Sequence, residues 1–164
     1  MACAAALAVQ SVIRRENLLA NNLEQGAYMF TLLKTRLLSP NTPAAPYVFD
    51  IRGGGLWYGI EFAVPSEKLG TKRFAMLVQA RCLDNDLVIM GLTGGATMEG
   101  KSGDHCMLSP AYNVNRNEVG LPKALAPRML FIESALALYV ILQIEKIVDI
   151  FVQSVEEIVR ETGL

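Results

Sequence analysis

The chain has 164 residues, of which 52% are apolar and 19% charged, and its formal net charge is −1. This length is enough for one domain with a hydrophobic core. The near-neutral charge, without any block of basic residues, excludes the clustered cationic surface that nucleic-acid binding requires. The apolar content exceeds that of an average soluble domain, which indicates either a membrane segment or faces that meet a partner.

Two helices are predicted at the start of the chain. Residues 2–16 are rich in alanine and have no positive charge before their apolar run, so a secretion signal is not expected. Asn17 is a suitable capping residue for a second helix over residues 18–38. The apolar positions of this helix at helical spacing are Leu19, Leu23, Ala27, Phe30 and Leu33. The prolines within residues 39–43 end it.

A β-hairpin is predicted next. Residues 47–52 and 56–62 are rich in β-branched and aromatic side chains, and the three glycines 53–55 between them predict the turn. A third helix is expected over residues 72–85. Its apolar side consists of Phe74, Leu77, Val78 and Cys82.

Two short strands complete the central part of the chain. They are predicted over residues 87–90 and 104–108, separated by a glycine-rich loop over residues 91–103, and Pro110 closes the second. This order of elements predicts an α+β fold, in which a small antiparallel or mixed sheet is covered by helices on one face.

The C-terminal region combines a helix start with an interruption. Residues 115–118 (NRNE) form a capping-box pattern, but the amphipathic helix begins only at Ile144. Residues 119–143 lie between them and are mostly apolar. We interpret this stretch as an insertion, and a retained intron is one hypothesis. The alternative is a membrane segment, but its apolar run over residues 129–142 is shorter than the ~20 residues that a spanning helix needs.

Three local patterns suggest chemistry and are interpreted as structural. Residues 95–102 (GATMEGKS) satisfy the P-loop pattern, yet a strand rather than a helix is predicted after them, which disfavours nucleotide binding. His105 follows Asp104, but neighbours on a strand point to opposite faces, so no Ser–His–Asp site is expected. His105 and the adjacent Cys106 suggest a pair of zinc ligands, but the sequence contains no second Cys/His pair to complete a zinc site. The sequence has three cysteines, Cys3, Cys82 and Cys106, and this odd number favours reduced thiols over a disulfide framework.

Four segments occur together in the order found in one enzyme family. Residues 2–9 resemble a helix that leads into a C-terminal domain, and residues 50–62 (DIRGGGLWYGIEF) resemble an Arg-Gly-x-Gly-Leu hairpin that ends in Gly-Ile-Glu. Residues 103–112 and 115–118, with the long helix that follows later, resemble the other two segments. The chain thereby resembles the C-terminal small domain of the class-III aminotransferases, which use pyridoxal phosphate and have the fold of type-I pyridoxal-phosphate transferases.

The resemblance implies a function for an intact parent protein. Such an enzyme transfers an amino group between an amine or amino acid and a keto acid, using a Schiff-base lysine, an acidic residue at the pyridine nitrogen and a phosphate-binding loop. The lysines of this chain do not match the family's lysine motif; they are Lys34, Lys68, Lys72, Lys101, Lys123 and Lys146. No catalytic, cofactor-binding or metal-ligating residue is therefore assigned here, and we expect this chain alone to bind no cofactor stably.

One departure from the resemblance concerns the amino donor. Many relatives place an arginine in the strand before the proline, where it grips a substrate carboxylate. Residues 106–109 contain no arginine. In an intact parent this favours an ω-amino or amine donor.

The sequence thus predicts that residues 1–164 are one partial small domain whose large domain is absent, interrupted at residues 119–143. The main hypothesis is a catalytically inactive fragment of an aminotransferase. The alternative is a non-catalytic binding or regulatory module that docks on a full-length aminotransferase, or that associates with itself. Small-molecule amines and keto acids are partners only of the intact parent. Neither nucleic acid nor membrane is expected as a partner, and the expected location is cytoplasmic.

Overall fold

The computed structural model describes residues 2–70, 72–96, 102–114 and 144–164. The helices in these ranges are α1 (Ala2–Arg15), α2 (Leu18–Leu37), α3 (Ser66–Leu69), α4 (Phe74–Asp84) and α5 (Ile144–Thr162). The strands are β1 (Val48–Gly54), β2 (Trp57–Phe62), β3 (Met90–Ala96) and β4 (Ser102–Leu108), and a 3₁₀ turn (Ala45–Tyr47) precedes β1.

The four strands form one sheet in the order β1-β2-β4-β3, and every neighbouring pair is antiparallel. The register aligns Ile60 with Cys106 and Cys106 with Gly91 across three strands. This row faces α4, because the Cys106 thiol contacts the Ala75 carbonyl at 3.7 Å. The α+β fold with an antiparallel sheet is thereby confirmed.

The hydrophobic core lies between this face of the sheet and helices α2, α4 and α5. Phe62 packs edge-on against Phe74 at a centroid distance of 5.0 Å, and Tyr58 stacks on Phe30 at 5.2 Å. The buried stripe of α5 contains Ile144, Ile147, Val148, Phe151, Val155, Ile158 and Val159. A fully buried side chain of this size contributes roughly 1.5–3 kcal/mol, so the stripe anchors α5. Its predicted helical rhythm is confirmed.

The start of α2 differs from the expected cap. Helix α2 does begin after Asn17, but Asn17 adopts a left-handed conformation (φ 51°) and its side chain makes no capping hydrogen bond. Asparagine tolerates this region better than most residues. Asn17 therefore supports the sharp turn between α1 and α2 rather than capping the second helix.

The buried face of α2 also differs from the sequence pattern. Leu19 and Leu23 are 62% and 69% exposed. The residues that α2 buries are Gln25, Gly26, Met29, Leu33 and Leu37. The buried face of α2 is rotated relative to the predicted apolar face because the hairpin contacts the helix at Gly26, where a larger side chain would prevent the contact.

The predicted hairpin forms, with its turn shifted by two residues. Gly53 and Gly54 belong to β1, and Gly54 pairs with Trp57, so Gly55 and Leu56 make a two-residue turn. Gly55 takes a φ of +55°, which glycine adopts without steric cost.

The predicted strand over residues 87–90 is wrong. Leu87 and Ile89 are buried as expected, but β3 begins at Met90 and runs through the glycines assigned to a loop. Gly91 explains the error, since a Cβ there would lie 2.6 Å from the Ala75 carbonyl oxygen. Glycine at this position permits α4 to pack on the strand and does not mark a loop.

The capping-box residues 115–118 and the apolar stretch 119–143 lie outside the described residues. Within the ranges that the structure covers, none of the helices is long and apolar enough to cross a membrane.

Candidate functional site

The side of the sheet opposite the helices, here called the open sheet face, is the first candidate surface. Cross-strand pairing aligns Arg52, Gly59, Met107 and Met90 in one row across the four strands. Trp57 lies two residues before Gly59 on the same face and is 60% exposed. Gly59 leaves a gap between the arginine and methionine side chains, because nothing except the Arg52 carbonyl lies within 4 Å of a Cβ built there.

An arginine bound to two carboxylates dominates the electrostatics of this face. The Nη1 group of Arg52 donates to Asp50 Oδ2 at 2.9 Å and to Glu61 Oε2 at 2.5 Å. The hydrogen bonds to Asp50 and then to Glu61 raise the pKa of Arg52. Two carboxylates around one guanidinium leave an excess negative charge, so the cluster is not preorganised to bind a substrate carboxylate.

Sequence reasoning missed this cluster, although the hairpin contains the signal for it. Side chains two residues apart on a strand share a face, which places Asp50 and Arg52 together. The pairing of Asp50 with Glu61 then brings the second carboxylate beside the arginine. This register depends on which residues form the turn. The turn lies at Gly55 and Leu56, a position that three consecutive glycines in the sequence do not specify.

Asp104 and His105 lie on opposite faces of β4, as predicted. His105 is on the open sheet face, where it pairs with Glu61 and Leu92. Asp104 faces the helices, and its Oδ2 accepts a hydrogen bond from the Phe74 backbone N–H at 2.8 Å. Because Arg73, the residue before α4, makes no side-chain cap, Asp104 satisfies this amide from a distant strand. The two residues are therefore not a catalytic pair.

The cysteines are free thiols in three different surroundings. Cys3 is exposed, whereas Cys82 and Cys106 are buried. Burial raises the pKa of Cys82 to about 11, although a hydrogen bond with Ser154 opposes the shift. Burial also raises the pKa of Cys106 well above its ordinary value. Thiols in such an environment are poor nucleophiles.

The described ranges contain no group of three or more histidine, cysteine, aspartate or glutamate side chains arranged to hold a metal ion. His105 and Cys106 are neighbours on one strand and so point in opposite directions.

The described ends of the P-loop pattern lie on two adjacent antiparallel strands. Gly95 pairs with Gly103, and Ala96 pairs with Ser102. Ser102 begins a strand, whereas a P-loop places this residue at the start of a helix whose amides bind phosphate. Residues 97–101, including Lys101, lie outside the described part. A strand at Ser102 agrees with the strand predicted after the motif, and the structural interpretation of the motif stays a prediction.

The described lysines do not form a cofactor site. Lys34 lies over the Phe30 ring at 4.4 Å from its centroid, and Lys68 donates to the Gly163 carbonyl at 3.0 Å. Lys72 and Lys146 are exposed on other parts of the fold. Pyridoxal phosphate requires one lysine together with an acidic partner for its ring and a phosphate-binding loop. The described residues do not fit this group, and Lys101 and Lys123 lie outside them.

The first two helices carry four exposed large apolar side chains. Leu7 and Val9 of α1 are 71% and 57% exposed, and Leu19 and Leu23 of α2 are also exposed. Trp57 at the hairpin is exposed as well. Such residues mark a surface suited to contact with another polypeptide.

Comparison with known proteins identifies related chains. No protein-family model matches the sequence. An aminotransferase of Gibberella zeae is 36% identical over 121 residues, which cover 71% of this chain and 22% of that protein. An uncharacterised aminotransferase of Schizosaccharomyces pombe is 31% identical over 123 residues, covering 73% of this chain and 25% of that protein.

The fold is similar to part of a solved aminotransferase. A Bacillus anthracis aminotransferase superposes with a TM-score of 0.58 at 22% sequence identity, covering 95% of this chain and 28% of that protein. The chain spans about a quarter of the length of the curated relatives. In sequence the chain is thus related to one part of the aminotransferases, and its fold agrees with this relationship.

Proposed function

We propose that this chain is the C-terminal small-domain part of a class-III, pyridoxal-phosphate-dependent aminotransferase. The intact parent transfers an amino group between an amine or amino acid and a keto acid. One observation supports the proposal most directly. Residues 50–62, which resemble the family's hairpin in sequence, form a β-hairpin with a two-residue turn, and the fold around it superposes on an aminotransferase over 95% of the chain.

We infer that the chain alone does not catalyse this reaction. The four described lysines occupy separate positions, and none has an acidic partner and a phosphate-binding loop beside it.

The charge of the open sheet face bears on the amino donor of the intact parent. Since Arg52 is already engaged by Asp50 and Glu61, the face suits an amine donor better than an α-carboxylate.

Amino transfer by the purified chain is the test. The chain is supplied with pyridoxal phosphate, a keto acid and either an ω-amine or an α-amino acid, and product is measured against cofactor alone. The proposal predicts no turnover above that background. Turnover that disappears when any one of the chain's six lysines is changed to alanine would contradict it.

A second candidate function is docking on a full-length aminotransferase. The exposed apolar side chains of α1 and α2 support it, because three leucines and Val9 on two adjacent helices lose water contact when covered. Each would contribute roughly 1.5–3 kcal/mol if it became fully buried. In this function the chain binds or regulates a complete enzyme and carries no chemistry of its own.

Affinity measurement distinguishes the second candidate. The chain is titrated against a purified full-length aminotransferase of the same organism, with the double variant Leu19→Ser/Leu23→Ser beside it. The matched control is Leu83→Ser, since Leu83 is 61% exposed but lies on α4. Docking predicts at least a tenfold weaker complex for the double variant alone. Equal affinities for all three chains, or no complex, would contradict docking through this surface.

Residues 119–143 are proposed to interrupt the family sequence between Glu118 and the start of α5 at Ile144. The proposal is supported by the capping pattern before the stretch and the regular buried stripe that begins directly after it. A transcript that joins Glu118 to Ile144 is expected. Genomic and transcript sequences that both retain the stretch would contradict the retained-intron hypothesis.

We also propose a cytoplasmic location, which the free thiols support.

A further inference from the structure

We draw no further inference here: the strongest candidate, the open sheet face around Gly59 bounded by Arg52, Trp57 and Met107, is an unpartnered surface, and nothing in the described part of the chain shows what covers it.

Discussion

Gly26 of α2 lies directly against Gly55 of the hairpin turn. A Cβ built on Gly26 would lie 1.9 Å from the Gly55 carbonyl oxygen, and one built on Gly55 would lie 2.0 Å from Asn22 Oδ1. Real Cβ atoms do not approach backbone this closely, so the two glycines permit the helix and the hairpin to touch. This contact positions the turn whose sequence most specifically resembles the aminotransferases.

The first prediction concerns this contact. In an exposed helix, Gly→Ala gains about 1 kcal/mol of helix propensity. At Gly26 the clash is with backbone, and the hairpin must move, which costs typically ~1–3 kcal/mol or more. The steric cost less the propensity gain leaves a net effect, so we expect Gly26→Ala to lower the free energy of unfolding by up to about 2 kcal/mol in urea denaturation.

The hairpin offers a matched control for Gly26→Ala. Gly54 has no atom within 4 Å of a built Cβ, so Gly54→Ala should change stability by less than about 0.5 kcal/mol. A stabilising Gly26→Ala substitution would mean that the close approach of helix and turn is absent in solution.

The second prediction concerns the remote cap of α4. Asp104→Ala removes the acceptor for the Phe74 amide, and loss of a helix cap costs about 0.5–2 kcal/mol. Asp104→Asn retains a side-chain oxygen and should lose less. The free energy of unfolding is measured by circular dichroism in urea, with the exposed Asp84→Ala at the other end of α4 as control. Equal effects at positions 84 and 104 would contradict a capping role.

The third prediction uses the different surroundings of the thiols. With a pKa of about 11, only about one Cys82 in a thousand is a thiolate near pH 8, and its burial also blocks reagents. Iodoacetamide should therefore modify exposed Cys3 rapidly in the folded chain. Cys82 and Cys106 should react only at the rate of unfolding, as measured by peptide mass spectrometry. Modification of Cys106 as fast as Cys3 would overturn the placement of β4 against α4.

The fourth prediction concerns pH. Hydrogen bonds from Gln153 and then from Arg81 lower the pKa of Glu157. Because the folded state holds this proton less tightly than the unfolded state, the contribution to stability is present above the unfolded pKa of about 4.5. It is lost as the pH falls through the lower, folded pKa.

Denaturation between about pH 6 and pH 3 tests this sign. Glu157→Gln should show a smaller loss of stability on acidification than the unsubstituted chain, because the substituted position no longer titrates. Glu67→Gln, at an exposed glutamate of α3, is the control and should keep the original slope. Identical slopes for all three chains would show that the hydrogen bonds of Gln153 and Arg81 to Glu157 are not formed.

The sequence predicts those elements in which the spacing of the apolar residues matches the spacing of the buried positions. The stripe of α5 repeats at 3.6 residues because one face of that helix packs on α2 and α4, so the helix could be predicted from its period. The hairpin could also be predicted, because β-branched and aromatic residues flank its glycines.

Prediction failed where a glycine provides space for a neighbouring element. Gly26 and Gly91 are close contacts between elements distant in sequence, but the sequence pattern left Gly26 off the apolar face of α2 and placed Gly91 in a loop. The Arg52 cluster was missed for a related reason. Its geometry depends on strand register, which three consecutive glycines leave open until the turn packs on α2.

The most direct test of the central claim is covalent trapping of the cofactor. The purified chain is incubated with pyridoxal phosphate, reduced with borohydride and mapped by mass spectrometry. The account predicts weak labelling spread over exposed lysines, because the described residues form no cofactor site. Stoichiometric labelling of a single lysine would contradict it and show that this chain builds a complete pyridoxal-phosphate site.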